Sequence, residues 1–258
     1  KHSSCIKEST SIVFINIGGS SESCCFYMHS LLNVSNLTIT FGMQKVIDNV
    51  SFSLFEGQYL AVIGPNGSGK STLVKAITKE IKRYHGSISI DRHVTCGYMS
   101  QQNQDGEFFP ATAYEIVVSG FSKKLFNFWL SKEEKIHLSS VIEELGIKDL
   151  MDRSFFSLSG GQKRIILMAR ALCARPEILI LDEPEAGLDC RTREKIYSLI
   201  RHVNKFYKVA ILIVCHDISR ICKESDSVLC LEHKVKYLGN SKEFIESAIF
   251  RELSEHSV

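Results

Sequence analysis

The chain has little net charge, few prolines and no long apolar run. Its 258 residues carry a formal net charge of +2 and include four prolines and one tryptophan. So small a charge gives no reason to expect nucleic acid or a membrane surface as a partner. No apolar run approaches the ~18 residues that a membrane-crossing helix needs, so a membrane role would have to act through a partner. With 44% hydrophobic and 23% charged residues, the composition predicts a globular domain with one substantial core.

The cysteines lack the spacing of a metal or redox site. There are nine of them, an odd number, and no pair has the Cys-x-x-Cys spacing. This scatter favours a reducing compartment, in which thiols act as small apolar side chains. Cys24-Cys25 could be redox-active, and His93 with Cys96 could supply two metal ligands. Without further ligands at matching spacing, we interpret both pairs as structural.

The first residues differ in composition from the rest. Residues 1–27 are rich in serine, and their apolar stretch, Ile12 to Ile17, is short for the core of a signal peptide. Met28 lies just before the first strand pattern. Our hypothesis is that Met28 is the natural start, that residues 1–30 form a disordered extension, and that one folded domain covers residues 31–258.

The first part of that domain combines alternating strands with one strand–loop–helix unit. Apolar and polar residues alternate as in half-buried strands, and an apolar strand then leads through a glycine-rich loop into a helix with one apolar face. The predicted strands are Leu32–Thr40, Val46–Phe55, Leu60–Ile63 and Ser87–Ile90, and the predicted helix is Ser71–Lys82, closed by His85-Gly86.

The middle of the chain predicts an inserted helical lobe, over about residues 105–160. Two segments have helical periodicity, Ala113–Ser119 and Lys132–Leu145, the second with an apolar stripe. The stripe consists of Ile136, Val141, Ile142 and Leu145. The connector Phe121–Leu130 is rich in aromatic residues, which serve either as the core of the lobe or as a docking surface for a partner.

From Gly160 onward helices and strands alternate. Each apolar strand is short and each helix ends near a proline or a polar turn, as in an α/β fold. The predicted order is a helix to Ala174, the strand Ile178–Leu181, the helix Arg191–Phe206, the strand Val209–Cys215, a helix over Ile218–Lys223, and the strands Val228–Leu231 and Val235–Leu238.

A phosphate-binding loop lies between the third strand and the first helix. Its residues are Gly64, Pro65, Asn66, Gly67, Ser68, Gly69, Lys70 and Ser71. The glycines let backbone N–H groups wrap phosphates, and the helix N-terminus adds partial positive charge. In this pattern Lys70 reaches the β- and γ-phosphates, and the Ser71 hydroxyl is offered to Mg²⁺.

Polar residues follow three other predicted strands. Asp182 ends a strand, where its carboxylate would hold Mg²⁺ or a metal-bound water, and Glu183 would polarise the attacking water. His216 also follows a strand and can contact a γ-phosphate. Gln101 follows the strand-like Gly97–Ser100 and offers a neutral amide to the metal or to water.

The most specific motif is Leu158-Ser159-Gly160-Gly161-Gln162. Ser159 and two glycines at a helix start expose a hydroxyl and successive N–H groups, which form a second anion-binding surface. One subunit cannot easily direct this surface and the phosphate loop at the same nucleotide. The two motifs together therefore predict an ATPase that works in pairs.

In this order, these motifs resemble the nucleotide-binding subunit of an ABC (ATP-binding cassette) transporter, from about Leu32 to Phe244. The resemblance implies an α/β fold: a P-loop NTPase core with an N-terminal antiparallel β subdomain and an inserted helical subdomain. It also assigns roles to the residues of the motifs. The implied nucleotide contacts are Phe41, Gly64–Ser71, Thr72, Gln101, Ser159, Gly160, Gly161, Gln162 and Asp189; the catalytic residues are Lys70, Glu183 and His216; the Mg²⁺ ligands are Ser71, Gln101 and Asp182.

Some positions depart from the family pattern. Phe41 stands where the family usually has a tyrosine that stacks on adenine, and it keeps the stacking face. Glu185 replaces the usual threonine, which would place a carboxylate near the seam between two subunits. Lys163-Arg164 stands where the family frequently has Gln followed by Gln or Arg.

The resemblance further implies a homodimer that binds ATP and Mg²⁺, an integral membrane permease as partner and, indirectly, an extracytoplasmic substrate-binding protein. The subunit would be cytoplasmic, on the inner face of the membrane. Several segments resemble the zinc/manganese importer branch: Asp105 with Phe109-Pro110, Ala171–Ala174, Glu185–Asp189, His216–Ser219 and Val228–Leu231. Alternatives are an iron–siderophore or other importer, an ABC ATPase that acts on nucleic acid or ribosomes, and a regulatory module without catalysis. A single compact cassette with little positive charge disfavours the second alternative, and intact catalytic residues disfavour the third.

Overall fold

The structure is a computed structural model that describes residues 12–13, 26–27, 29–100, 111–121 and 130–255. The predictions for Gln101, Asp105, Phe109-Pro110 and most of the aromatic connector lie outside these ranges. Most of residues 1–30 do as well. The four described residues before position 29 form two short strands, β1 (Ile12–Val13) and β2 (Phe26–Tyr27), which pair antiparallel.

A three-stranded antiparallel sheet follows. Its centre is β3 (Ser30–Phe41), which pairs on one side with β4 (Gln44–Phe55). The third strand of this sheet, β6 (His85–Ile90), pairs with the other side of β3. It comes later in the chain, after the phosphate loop and the helix that follows it. Along β3 the apolar residues Leu32, Val34, Leu37 and Ile39 are buried, as the alternation predicted.

The second sheet has six strands. Their bounds are β5 (Tyr59–Ile63), β7 (Cys96–Met99), β8 (Ile178–Asp182), β9 (Ala210–Val214), β10 (Ser227–Glu232) and β11 (Lys234–Asn240), and β6 (His85–Ile90) completes the first sheet. The order across the sheet is β11-β10-β5-β9-β8-β7, and only the β10–β11 pair is antiparallel. In β8 and β9 alternate residues enter two different cores, so both faces of this parallel sheet are covered.

The helices divide between the core and the lobe. The core helices are α1 (Lys70–Ile77), α5 (Cys190–Tyr207), α6 (Ile218–Glu224), α7 (Ser241–Glu246) and α8 (Ala248–Glu255). The lobe helices are α2 (Ala113–Val118), α3 (Lys132–Leu145) and α4 (Gly160–Cys173). Each lobe helix begins with a reciprocal capping box, in which a Ser or Thr hydroxyl and a Glu or Gln side chain satisfy free N–H groups.

Helix α1 is shorter than predicted. The sequence pattern extends it to Lys82, but the helix ends at Ile77. The Thr78 hydroxyl donates back to the carbonyl of Val74 (3.1 Å), and Lys79 has a left-handed backbone (φ 65°) that no continuing helix adopts. His85-Gly86, predicted to close the helix, instead begins β6.

The predicted apolar stripe of α3 is wrong at one position. Ile136 is 63% exposed, whereas Leu138 is 5% exposed and faces the core with Val141. Residues at positions i, i+3, i+4 and i+7 share one face of a helix, so Leu138 is in phase with Val141, Ile142 and Leu145, whereas Ile136 points to the opposite side.

The predicted fold class is confirmed: a parallel α/β core, an antiparallel β subdomain and a lobe of helices. Within the described ranges, no helix has both the length and the apolar character needed to cross a membrane. The proposed domain bounds stay a prediction.

The two apolar residues of α3 give a matched test of the lobe. We expect Leu138→Ala to lower the free energy of unfolding by about 2–4 kcal/mol, because it leaves a cavity in the core. Ile136→Ala on the same helix should change it by less than about 0.5 kcal/mol. Denaturant unfolding of both variants measures the difference, and equal losses would contradict the burial described here.

Candidate nucleotide site

Three neighbouring parallel strands end at the same edge of the large sheet. β5 leads into the phosphate loop at Gly64, β8 ends at Asp182 and Glu183, and β9 is followed by Cys215 and His216. Asp182 lies beside Val214 in the sheet register, and the Glu183 N–H donates to the Val214 carbonyl (3.0 Å). Carboxyl ends of parallel strands are where such folds gather their sites. The structure therefore brings most of the predicted catalytic residues together.

The phosphate loop folds tightly against its surroundings. Gly64 has φ 145°, and a Cβ there would lie 2.0 Å from the Leu231 carbonyl oxygen, so only glycine fits. The Lys70 ammonium donates to the carbonyls of Gly64 and Pro65, both at 2.8 Å. Burial lowers the pKa of Lys70, while Glu183 and Asp182 oppose that shift. The loop thus holds its lysine on its own backbone, next to the edge where Asp182 and Glu183 lie.

Of the two predicted metal ligands that the structure describes, Asp182 is more buried than Ser71. It is 2% exposed, and its Oδ1 atom has no hydrogen-bond partner. Burial, with the nearby Glu183, raises its pKa to about 6. A buried carboxylate oxygen left without a partner fits a site that a cation would complete.

Ser71 and Asp182 together fit Mg²⁺ better than a metal with protein ligands only. Ser71 is the first residue after Lys70 in α1 and is half-buried. In the described part of the chain, no group of three His, Cys, Asp or Glu side chains could hold a metal ion. Mg²⁺ commonly takes one or two protein oxygens and completes its shell with water and phosphate oxygens, which suits this pair.

Glu183 is held in an unusual backbone conformation. Its φ of 49° lies in the left-handed region, which costs a non-glycine residue energy and is often found at functional sites. The His216 imidazole Nε2 lies 2.5 Å from Glu183 Oε1. Glu183 is 6% exposed, whereas the side chain of His216 is 48% exposed. A carboxylate in contact with an accessible imidazole can accept a proton from water and keep its orientation.

The signature residues sit at the start of α4. Ser159 accepts from the Gln162 N–H (3.3 Å), and the Gln162 side chain accepts from the Ser159 N–H (3.0 Å). Their hydrogen bonds are therefore made within their own helix end, and Ser159 and Gly160 are exposed. A Cβ on Gly161 would lie 2.9 Å from the Thr192 methyl carbon, so this glycine allows close packing against α5.

Two further predicted contacts lie on the surface. Phe41 ends β3 and is 54% exposed, which leaves its ring available for stacking. Asp189 caps α5: it accepts from the N–H groups of Arg191 and Thr192 (both 3.0 Å) and from the Thr192 hydroxyl (2.7 Å). The roles assigned to both residues stay predictions.

Glu185 and Arg164 are both buried beside the site. Glu185 is 8% exposed, and its Oε1 accepts from the Cys215 thiol (2.9 Å). Its nearness to a seam between two subunits stays a prediction. Arg164, in α4, is 9% exposed and donates to the Ser100 carbonyl (3.5 Å). Three carboxylates, Glu185 first, then Glu183 and Asp182, oppose the lowering of the Arg164 pKa by burial. The only sequence signal for Glu185 was its departure from the family pattern, and no signal pointed to a role for Arg164.

Fold and site together define a P-loop ATPase. The model of the ABC transporter family matches residues 47–186. The chain belongs to this family, as the motifs predicted.

Proteins of known role from bacteria are similar over most of the chain. The zinc import ATP-binding protein ZnuC of a Wolbachia species is 31% identical over 87% of this chain and 89% of its own length. The zinc uptake system ATP-binding protein ZurA of Listeria monocytogenes is 32% identical, over 88% and 92% respectively.

Solved structures are similar as well. A metal-chelate type ABC transporter in an inward-facing conformation superimposes with a TM-score of 0.78 and 26% identity, over 88% of this chain and 90% of the other. A dimeric ATP-binding cassette bound to ADP and Pi in a post-hydrolysis state gives 0.70 and 26%, over 81% and 98%.

The raised pKa of Asp182 makes a prediction about stability and pH. Its pKa rises from 3.8 to about 6 on folding, so without Mg²⁺ the folded state loses stability as the pH rises from about 4 to above 6. Asp182→Asn removes this loss. In EDTA, we expect the advantage of the variant in unfolding free energy to be about 1 kcal/mol larger at about pH 8 than at about pH 5.

Chemical denaturation at the two pH values measures this advantage. Asp48→Asn is a suitable control, because hydrogen bonds from Lys45 and Lys234 lower the pKa of Asp48. That carboxyl is therefore ionised at both pH values, and the effect of its replacement should not change between them. An Asp182→Asn difference that does not change with pH would contradict the burial argument.

Proposed function

We propose that this chain is the ATP-hydrolysing subunit of an importer that energises uptake of a divalent metal ion, zinc or manganese, through a membrane permease. The observation that carries the ATPase assignment is the contact between His216 and Glu183 at the strand edge beside Lys70 and Asp182. The cargo is supported by the names of the relatives, which are zinc import and zinc uptake proteins. The metal passes through the permease, so no residue of this site needs to touch it.

The phosphate loop binds the nucleotide. Backbone N–H groups at the start of α1 donate to the phosphates, and Lys70 exchanges its present backbone acceptors for β- and γ-phosphate oxygens. Phe41 offers its exposed ring to the adenine. When bound, Mg²⁺ would be held by Ser71, Asp182 and Gln101 and would neutralise charge on the phosphates.

Glu183 and His216 prepare the attacking water. The carboxylate of Glu183 accepts a proton from the water as the water oxygen bonds to the γ-phosphorus. The bond between the γ-phosphorus and the β–γ bridging oxygen breaks in the same displacement, so ADP leaves and inorganic phosphate forms. His216 keeps Glu183 in place through their contact and remains exposed enough to reach the γ-phosphate. The left-handed backbone of Glu183 fixes the direction of its side chain at a cost in energy, as is often found at functional sites.

The second half of the site comes from another copy of the chain. Ser159, Gly160, Gly161 and Gln162 direct a helix N-terminus outward, and Asp189 lies at the neighbouring helix start. In a head-to-tail pair these residues would cover the nucleotide of the partner. The pair would act on the inner face of the membrane, where closing on ATP and opening after hydrolysis drive the permease, with an extracytoplasmic binding protein delivering the metal.

Replacement of the general base tests the chemistry. We expect Glu183→Gln to lower ATP turnover at least about 100-fold while ATP affinity stays within about threefold, because the amide cannot accept the proton. Glu232→Gln, at the exposed end of β10 and in an ion pair with Lys236, is the control and should keep native turnover. The release of phosphate and the binding of a fluorescent ATP analogue measure the two quantities.

The same variants test the cargo in cells. Cells that lack the native gene and are starved of zinc by a chelator should regain growth with Glu232→Gln but not with Glu183→Gln, and added zinc should restore growth in both cases. Unchanged turnover in Glu183→Gln would reject the ATPase mechanism. Recovery by iron alone would favour the iron–siderophore alternative.

A further inference from the structure

A buried hydrogen-bond cluster of Glu185, Cys215 and Tyr197 lies beside the catalytic edge, the sheet edge where β8 and β9 end at Glu183 and His216. The Glu185 Oε1 atom accepts from the Cys215 thiol at 2.9 Å and from the His216 N–H at 3.4 Å. Glu185 follows Glu183 by two residues, and Cys215 immediately precedes His216. One carboxylate therefore joins the strand end that carries Glu183 to the turn that carries His216.

Cys215 is fixed from a second side. Its sulfur lies 3.1 Å from the Tyr197 hydroxyl of α5, and Tyr197 is fully buried. The Arg220 guanidinium lies over the Tyr197 ring at 4.1 Å and pairs with Glu194 at 2.7 Å. Burial raises the pKa of Cys215 well above its usual range. The thiol thus keeps its proton and donates a hydrogen bond to Glu185.

The burial of the Glu185 carboxylate calls for a physical explanation. Ionised groups lose hydration when they are buried, and Glu185 keeps one oxygen, Oε2, without a hydrogen-bond partner. The buried guanidinium of Arg164 supplies opposite charge, and Glu185 is the carboxylate with the largest favourable effect on it. A small threonine would fill this position at lower cost, so the carboxylate is expected to perform a task.

Resting on the function proposed above, we propose that Glu185 is a positioning residue for ATP hydrolysis: its two hydrogen bonds to Cys215 and His216 fix the turn that aims the His216 imidazole at Glu183. The backbone of Glu185 also takes part in this arrangement. The Leu188 N–H donates to the Glu185 carbonyl (3.2 Å) in the turn that leads to Asp189. A shift of that turn when a second copy docks would be passed to His216 through Glu185.

This assignment predicts a loss of kcat that depends on His216. Glu185→Ala should lower kcat about 10-fold to 100-fold, because misplacement of a catalytic group by about 1 Å has effects of that size. KM and ATP affinity should change less than about twofold. Glu185→Gln keeps the accepting oxygen and should keep at least about half of the native kcat. Cys222→Ala, a buried cysteine of α6 outside the cluster, is the matched control and should keep native kcat.

A double-mutant cycle separates positioning from general damage. With enough enzyme to quantify residual turnover, Glu185→Ala should have less than about a twofold effect when His216→Ala is already present. Cys215→Ala, which removes the donor and leaves Glu185, should reproduce the kcat loss and the same dependence on His216. It also serves if Glu185→Ala fails to fold, as thermal melting would reveal.

Several results would overturn the inference. One is a multiplicative effect of Glu185→Ala in the His216→Ala background, and another is a weakened ATP affinity with kcat unchanged. Native kcat in Cys215→Ala, or a loss in Glu185→Gln as large as in Glu185→Ala, would also contradict it. Failure of the proposed function looks different: Glu183→Gln and His216→Ala would then both keep native turnover.

Discussion

Three carboxylates crowd the end of one buried strand, and the site is organised around holding them there. Asp182, Glu183 and Glu185 are all less than 9% exposed and lie within four residues of one another. Burial, and then the like charge of Glu183, raise the pKa of Asp182, so carboxylates at this depth need opposite charges or hydrogen-bond donors close by. Lys75 and Lys70 oppose the shift at Asp182, His216 contacts Glu183, and Glu185 has the Cys215 thiol and the Arg164 guanidinium.

The fold brings these compensating groups from distant parts of the chain. Lys70 follows β5, His216 follows β9, and the parallel register sets both beside the end of β8. Arg164 comes from the helical lobe, on the same helix that begins with Ser159. The charge balance of the catalytic edge is thus connected to the signature helix within one chain. A movement of the lobe would change the surroundings of all three carboxylates.

The fold class was predictable from the sequence, and so were the places of the motif residues at strand and helix ends, because both depend on local patterns. Strand alternation, capping residues and the glycine-rich loop are encoded over a few neighbouring residues. The Glu185–Cys215 contact was not predictable, since the two residues are 30 positions apart and no local pattern connects them. The predicted end of α1 was wrong because the Thr78 hydroxyl bonds back to the Val74 carbonyl and Lys79 adopts a left-handed backbone. The prediction for Ile136 was wrong because this residue is out of phase with the rest of the apolar stripe.

The central claim is that two copies of the chain share each nucleotide, and the molar mass of the Glu183→Gln chain with and without ATP tests it. The account predicts that ATP doubles the mass in light scattering, and that adding Gly160→Asp abolishes the doubling. Gly160 has open space around its Cβ position, and an acidic residue in the first turn of a helix is locally favourable. We therefore expect Gly160→Asp to leave the chain folded and to repel only a phosphate of the nucleotide that the partner binds. Gly160→Ala should still dimerise. A Glu183→Gln chain that stays monomeric with bound ATP, or that dimerises equally well with Gly160→Asp, would contradict the account.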